Sequence, residues 1–195
     1  MAEELENQLP EESEEPRPKG AELYEWLQML LGCVLLAVVV FNCCARLSRV
    51  DGQSMDPTLT HNEMMLVWSL GYSPKQGDII VLNKTTADFL GEFAIVKRVI
   101  ATGGQTVDID YNTSTVYVDG EALDEPYILE DMEFPWYSHM GETHFEVPEG
   151  QIFVMGDNRN NSTDSRDDRL GYIDEGYVLG KAVLALFPLD RFGFL

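Results

Sequence analysis

The sequence predicts a mainly β, antiparallel domain carried behind one N-terminal apolar helix. Three observations point there. A single unbroken apolar run lies near the start of the chain. Short strand-like runs separated by Gly, Pro, Asn and Asp fill the chain after residue 50. No stretch of that second part keeps a helical period over three turns.

The elements follow in chain order. Residues 1–20, "MAEELENQLPEESEEPRPKG", are Glu- and Pro-rich with almost nothing apolar, and cannot bury enough surface to offset the entropy of ordering. Residues 1–22 are therefore read as an acidic, disordered tail. From Leu27 to Ala45 only Gln28 and Asn42 are strongly polar, and at about 1.5 Å per residue the run is long enough for a hydrocarbon core of about 30 Å. Residues 23–45 are the expected transmembrane helix, with Tyr24 and Trp26 as interfacial anchors. A cleavable signal peptide would want a basic lead, a shorter apolar core and small residues at its end, whereas this run follows glutamates and ends in Cys43, Cys44, Ala45 and Arg46. Orientation stays tied, because Arg17 and Lys19 before the run match Arg46 and Arg49 after it.

Residues 46–195 are the expected β domain, with strand candidates "MMLVWSL", "GDIIVLN", "FAIVKRVIA", "TVDIDY", "STVYVDG", "QIFVMGD" and "KAVLALFPL". Its cysteines are all used up in the apolar run, as Cys33, Cys43 and Cys44, so this domain folds without a disulfide. Lys and Arg total 13 against 34 Asp and Glu, a net charge of −21. That balance excludes the basic footprint a nucleic-acid partner requires.

Chemistry is concentrated in three places. In "DGQSMDPTL" Ser54 sits between Gly52 and Pro57, where a serine serves as a turn residue or, given a base, as a nucleophile. His61, His139 and His144 are possible bases, none in a patterned context. Lys97 is the other: strand alternation in "EFAIVKRVIA" puts it with Phe93, Ile95 and Val99, opposite Ala94, Val96, Arg98 and Ile100. A lysine on such a face either snorkels its amine into water or loses hydration and with it several units of pKa, becoming a base. The third place, "MGDNRNNSTDSRDDRLGYI", fails the EF-hand register and has no Cys or His, so neither calcium nor zinc is expected. It is a solvated loop, or it supplies a hydroxyl and an Asp–Arg pair to a buried amine.

In order, "GQSMDPTL", "GDIIV", "VKRVIATGG" and "GDNRNNSTDSR" resemble the boxes of bacterial type I signal peptidases, from the apolar run to about Lys181. The resemblance implies an antiparallel β catalytic domain of that type and a serine endopeptidase that removes signal peptides at small-x-small sites, with no metal or cofactor. By it Ser54 is the nucleophile and Lys97 the general base. Ser162 orients the amine, and Asp164 with Arg166 forms the supporting salt bridge. The Ser54 N–H holds the oxyanion, with the Gly52 amide as second donor because Gly52 stands where some members carry a serine. Met55 and Val96 are expected to line the first substrate pocket. Where many members carry a Gly-x-Pro-Gly-Asp turn this chain has "ATGGQ", and the connection from Asp119 to Val147, with "EFPWYSHMGETH", matches no box, so Phe134, Trp136 and Tyr137 are read as surface facing lipid or substrate, or as a hairpin insertion. The partners implied are preprotein signal peptides and membrane lipid. Cleavage beyond the bilayer also breaks the topology tie: a bacterial cell-membrane protein with the tail cytoplasmic and residues 46–195 outside. The rivals are a self-cleaving repressor-type protease, which would need a DNA-binding head, a mitochondrial inner-membrane peptidase, and a non-catalytic membrane-anchored β-domain. Four Asn-x-Ser/Thr sequons, at Asn83, Asn112, Asn160 and Asn161, are read as chance.

Overall fold

The computed structural model describes residues 20–83, 94–135 and 142–195. The chain divides into two compact units, one ending at Val39 and the other running Val40–Leu195. Helix α1 spans Ala21–Cys43, about 35 Å at the α-helical rise. Its stretch Glu22–Asn42 has a mean hydropathy of 2.0 and no part of it is buried; Leu23, Leu30, Leu31 and Leu36 are all exposed. By length and composition it can cross a membrane. The expected span to Ala45 is corrected at its end. Cys44 O accepts a hydrogen bond from Ser69 N at 2.8 Å and Ala45 already pairs with Trp68, so strand geometry starts where two further helical residues had been expected.

Twelve strands follow among the described residues: β1 Ala45–Arg49, β2 Met64–Trp68, β3 Ile79–Leu82, β4 Ile95–Thr102, β5 Thr106–Asp110, β6 Thr115–Val118, β7 Glu121–Ala122, β8 His144–Glu146, β9 Gln151–Met155, β10 Ile173–Asp174, β11 Val178–Phe187 and β12 Gly193–Phe194. The larger sheet runs β1-β2-β11-β3-β4-β9-β10, with β12 also on β11, and the smaller runs β7-β6-β5-β8. Their pairings are antiparallel.

The residue pattern explains which strands lie deep. In β5, "TVDID", Val107 and Ile109 are buried while Asp108 and Asp110 are not, the period-two signature of a half-buried strand. In β3, "IIVL", every residue is buried because both faces are covered: Ile79 and Val81 pack with Val67 and Val96, Ile80 and Leu82 with Val99 and Ile152. β4 divides likewise, Ile95 and Val99 packing in one cluster and Val96 and Ile100 in others, as the alternation predicts; Phe93 lies outside the described residues. The third cluster joins Ile100, Val107, Val116, Phe145 and Phe153, drawn from strands of both sheets.

Long β11 bends to serve several neighbours, and its register shifts between Val178 and Gly180. Gly180 has φ +153°, and a Cβ there would stand 2.3 Å from Trp68 O, so only glycine lets β2 approach. The stretch that matched no box contributes β7 and β8, and residues 125–133 cross the 156–160 loop, with Leu129 N donating to Asp157 O and Glu133 N to Asn160 Oδ1. Phe134 sets its ring edge-on to Tyr111, centroids 5.3 Å apart. Trp136 and Tyr137 lie outside the described residues.

Candidate active site

Ser54 sits in a turn between β1 and β2. Met55 and Leu59 are buried apolar anchors of that turn, packed against Met65, Val67 and Val81. Because the residues on either side of Asp56 and Pro57 are plugged into the core, the serine before Met55 is held up against β4. The loop after β9 clasps it from the other side. Asn158 N donates to Ser54 O at 3.0 Å, Asn158 Nδ2 donates to Gln53 O at 3.1 Å, and Thr58 Oγ1 donates to Asp157 Oδ2 at 2.5 Å.

Lys97 lies in the middle of the sheet, paired with Ile80 on β3. Its side chain is 3 % exposed, and Nζ stands 2.6 Å from Ser54 Oγ. Burial strips the ammonium of water and lowers the pKa from its usual 10.5 to about 8; Asp164 and Asp157 pull the other way, while Arg166 assists the fall. A substantial neutral fraction therefore exists in mildly alkaline solution. The amine then accepts a hydrogen bond from the hydroxyl instead of donating one.

Around this pair is a shell of matched charges. Arg166 donates from Nε to Asp164 Oδ1 and from Nη2 to Asp164 Oδ2, both at 2.8 Å, and reaches Arg159 O at 2.7 Å. Burial alone would raise the Asp164 carboxyl, but the charge and hydrogen bonds of Arg166, then Lys97, hold it below the usual range. Asp164 Oδ2 also accepts from Gly156 N at 3.1 Å. Arg98, the residue after the lysine, donates to both oxygens of Asp157 at 2.8 and 2.7 Å and lies over the Tyr127 ring at 3.8 Å. Arg159 grips Glu125 with two bonds, 2.9 and 2.6 Å.

Ser162 is brought close without being engaged. Its hydroxyl is buried and has no hydrogen-bond partner among the described residues, so the expected contact with the lysine amine is not formed in this conformation. Gly156 is what makes room for it. A Cβ there would lie 2.3 Å from Ser162 Oγ and 2.4 Å from Ser54 O.

Two expectations shift in the structure. The Gly52 N–H, expected as second oxyanion donor, is occupied: it donates to His61 Nδ1 at 3.1 Å. The Ser54 N–H meets no acceptor among the described residues. Met55 and Val96, expected as pocket lining, are 1 % and 7 % exposed and belong to the core. Of the histidines, His61 bonds the Gly52 amide and not the Ser54 hydroxyl, His144 contacts Asp108 at 2.6 Å on the smaller sheet, and His139 lies outside the described residues. Sequence reasoning missed Gly156, Asp157, Asn158, Arg98 and the Arg159–Glu125 pair. "GDNR" directly after an apolar strand was the available signal.

No group of three or more His, Cys, Asp or Glu among the described residues could hold a metal ion. What the arrangement offers is a hydroxyl and a desolvated amine within one hydrogen bond of it, a pair whose chemistry suits acyl transfer.

Comparison with known proteins agrees with that chemistry. The profile of the family described as "Signal peptidase, peptidase S26" matches residues 23–187. "Probable signal peptidase I-1" of Synechocystis sp. is 37% identical over 179 residues, covering 88% of this chain and 86% of its own. "Signal peptidase I" of Bacillus licheniformis is 34% identical over 180 residues, covering 89% and 93%. A solved signal peptidase I from Enterococcus faecalis is 27% identical, with a TM-score of 0.45, over 57% of this chain and 98% of that one. With a family match across most of its length and relatives above 30% identity over nearly all of it, this chain belongs to the signal peptidase I family and is a serine endopeptidase of peptidase family S26.

Proposed function

We propose that this protein removes N-terminal signal peptides from preproteins, cutting after small-x-small sequences while α1 anchors it in the membrane. The observation that carries the reading is the 2.6 Å approach of a buried, weakly basic Lys97 Nζ to Ser54 Oγ. Neutral Lys97 takes the Ser54 proton as Oγ attacks the scissile carbonyl, and the carbonyl oxygen develops its negative charge against the Ser54 N–H. Collapse breaks the C–N bond, and the Lys97 ammonium returns its proton to the departing amine of the mature chain. The ester left on Ser54 is hydrolysed by water that Lys97 deprotonates in turn, releasing the signal peptide as a carboxylic acid.

Ser162 has its part in the charged stage. Its buried, unpartnered hydroxyl receives one N–H of the ammonium once the Ser54 proton has moved, while Asp164, fixed by Arg166, stabilises the positive charge. Substrate lies extended along a strand edge, its small side chains over the floor that Met55 and Val96 provide. The anchored topology puts the acidic tail in the cytoplasm and the β domain outside, in contact with lipid.

The test is cleavage of a preprotein or signal-like peptide by full-length protein in detergent micelles. Ser54→Ala and Lys97→Ala each lose at least about 10³-fold in kcat. For wild type, kcat/KM climbs with pH as the amine deprotonates, its midpoint near the lysine's value of about 8. An optimum below about pH 6 would point to a carboxylate base instead.

A further inference from the structure

Gly52 is lightly held in the nucleophile turn. It is exposed, its φ is +97°, and a Cβ on it would touch nothing within 4 Å. The chain on both sides of it is fixed. Val50 N donates to Glu63 O and Asn62 N to Val50 O, each at 2.9 Å, while Gln53 O accepts from Asp56 N at 3.1 Å and from Asn158 Nδ2 at 3.1 Å. Between those fixed points the one bond that holds Gly52 among the described residues is its N–H to His61 Nδ1, at 3.1 Å. For that bond to exist Nδ1 must carry a lone pair, so the ring is neutral with its hydrogen on Nε2. Asp51 is the charged group beside the ring, Oδ1 3.5 Å from the same Nδ1.

We infer that His61 is a positioning residue for the peptidase reaction, a neutral imidazole that fixes Gly52 and, through the two following peptide units, the direction of the Ser54 N–H and hydroxyl. This rests on the reading of Ser54 as nucleophile. Without the ring the Gly52 bond is lost. The glycine, free to rotate about both its dihedrals, then no longer holds the turn that presents Ser54.

The test compares full-length wild type, His61→Ala, His61→Asn and Ser54→Ala in detergent micelles against one signal-like peptide. Asparagine sets an amide oxygen about where Nδ1 stands and does not titrate. His61→Ala is expected to lower kcat about tenfold, the order of one neutral hydrogen bond, with KM within about twofold, and His61→Asn to restore most of it. The inference is overturned if His61→Ala matches wild type, or if the Ala and Asn variants are equally slow. Residual full activity in Ser54→Ala would instead sink the nucleophile assignment, whereas an inactive Ser54→Ala beside a fully active His61→Ala would sink only the role of His61.

Discussion

A single residue here carries opposite demands of stability and chemistry. Lys97 is useful as a base because burial makes its charge costly, and the same burial weakens the fold. Its pKa falls from 10.5 to about 8 on folding, so below about 8 both folded and unfolded chains hold the proton and the folded state bears the full cost. Between about 8 and 10.5 the unfolded chain binds more protons, and stability rises with pH. At pH 7 the cost is about 3 kcal/mol, from 1.36 kcal/mol per unit. Lys97→Met, which fills much the same volume without a charge, is therefore expected to be inactive yet to melt at higher temperature than wild type at pH 7, the gap narrowing near pH 10. Equal melting of the two proteins at pH 7 would mean that the amine is better solvated than its 3 % exposure implies. Lys97 was legible as a candidate because it interrupts an apolar alternation. His61 was not legible in its observed place, since nothing in "DGQSMDPTLTH" tells whether the turn folds back far enough to bring residue 61 onto residue 52.

Elements, not residues, decide whether those side chains meet. The strands were readable because their apolar periods are strong: each run named from the sequence overlaps one observed strand, although β4 ends one residue past its run and β11 begins three residues before its own. What could not be read was which strands pair, and the site depends on that. Asp157 meets Arg98 across 59 residues because β9 lies beside β4 with Met155 opposite Arg98. Arg159 meets Glu125 only because residues 125–133 cross the 156–160 loop. Neither pairing leaves a local pattern. The position where these elements come closest is Gly156, at the exit of β9. Gly156→Ala must part the added methyl from both Ser162 and the Ser54 carbonyl, which lie 2.3 and 2.4 Å from it. Displacement of the nucleophile by about 1 Å costs on the order of 10²-fold in rate. The variant should thus keep its β circular-dichroism signal and its binding of uncleaved peptide while kcat collapses. Wild-type kcat in this variant would show that the turn can shift without consequence.

At the scale of the whole β domain, its two ends are joined through the back of the nucleophile turn. β1 opens the larger sheet at one edge, whereas the C-terminal residues after β11 return to the turn that follows β1. Arg191 is the link: Nη2 donates to Pro57 O at 2.7 Å and Thr58 O at 3.0 Å, and Nε stands 3.2 Å from Glu63 Oε2. Glu63 is 1 % exposed and, among the described residues, otherwise accepts only from the Thr60 amide and hydroxyl. A carboxylate buried that deeply needs its cation, so removing Arg191 costs more than the bonds themselves, because a charge is left unpaired. Arg191→Ala is expected to lower unfolding free energy by about 2–4 kcal/mol in denaturant titrations. Adding Glu63→Gln should recover part of that loss, since an amide keeps the Thr60 contacts without a charge to neutralise. Because the same guanidinium fixes Pro57 and Thr58, three and four residues past Ser54, kcat should fall along with stability in Arg191→Ala. Glu63→Gln should not restore it, as the carbonyls of the turn remain unheld. Recovery of both quantities together would mean that the C-terminal segment only neutralises Glu63, and that the turn keeps its shape without it.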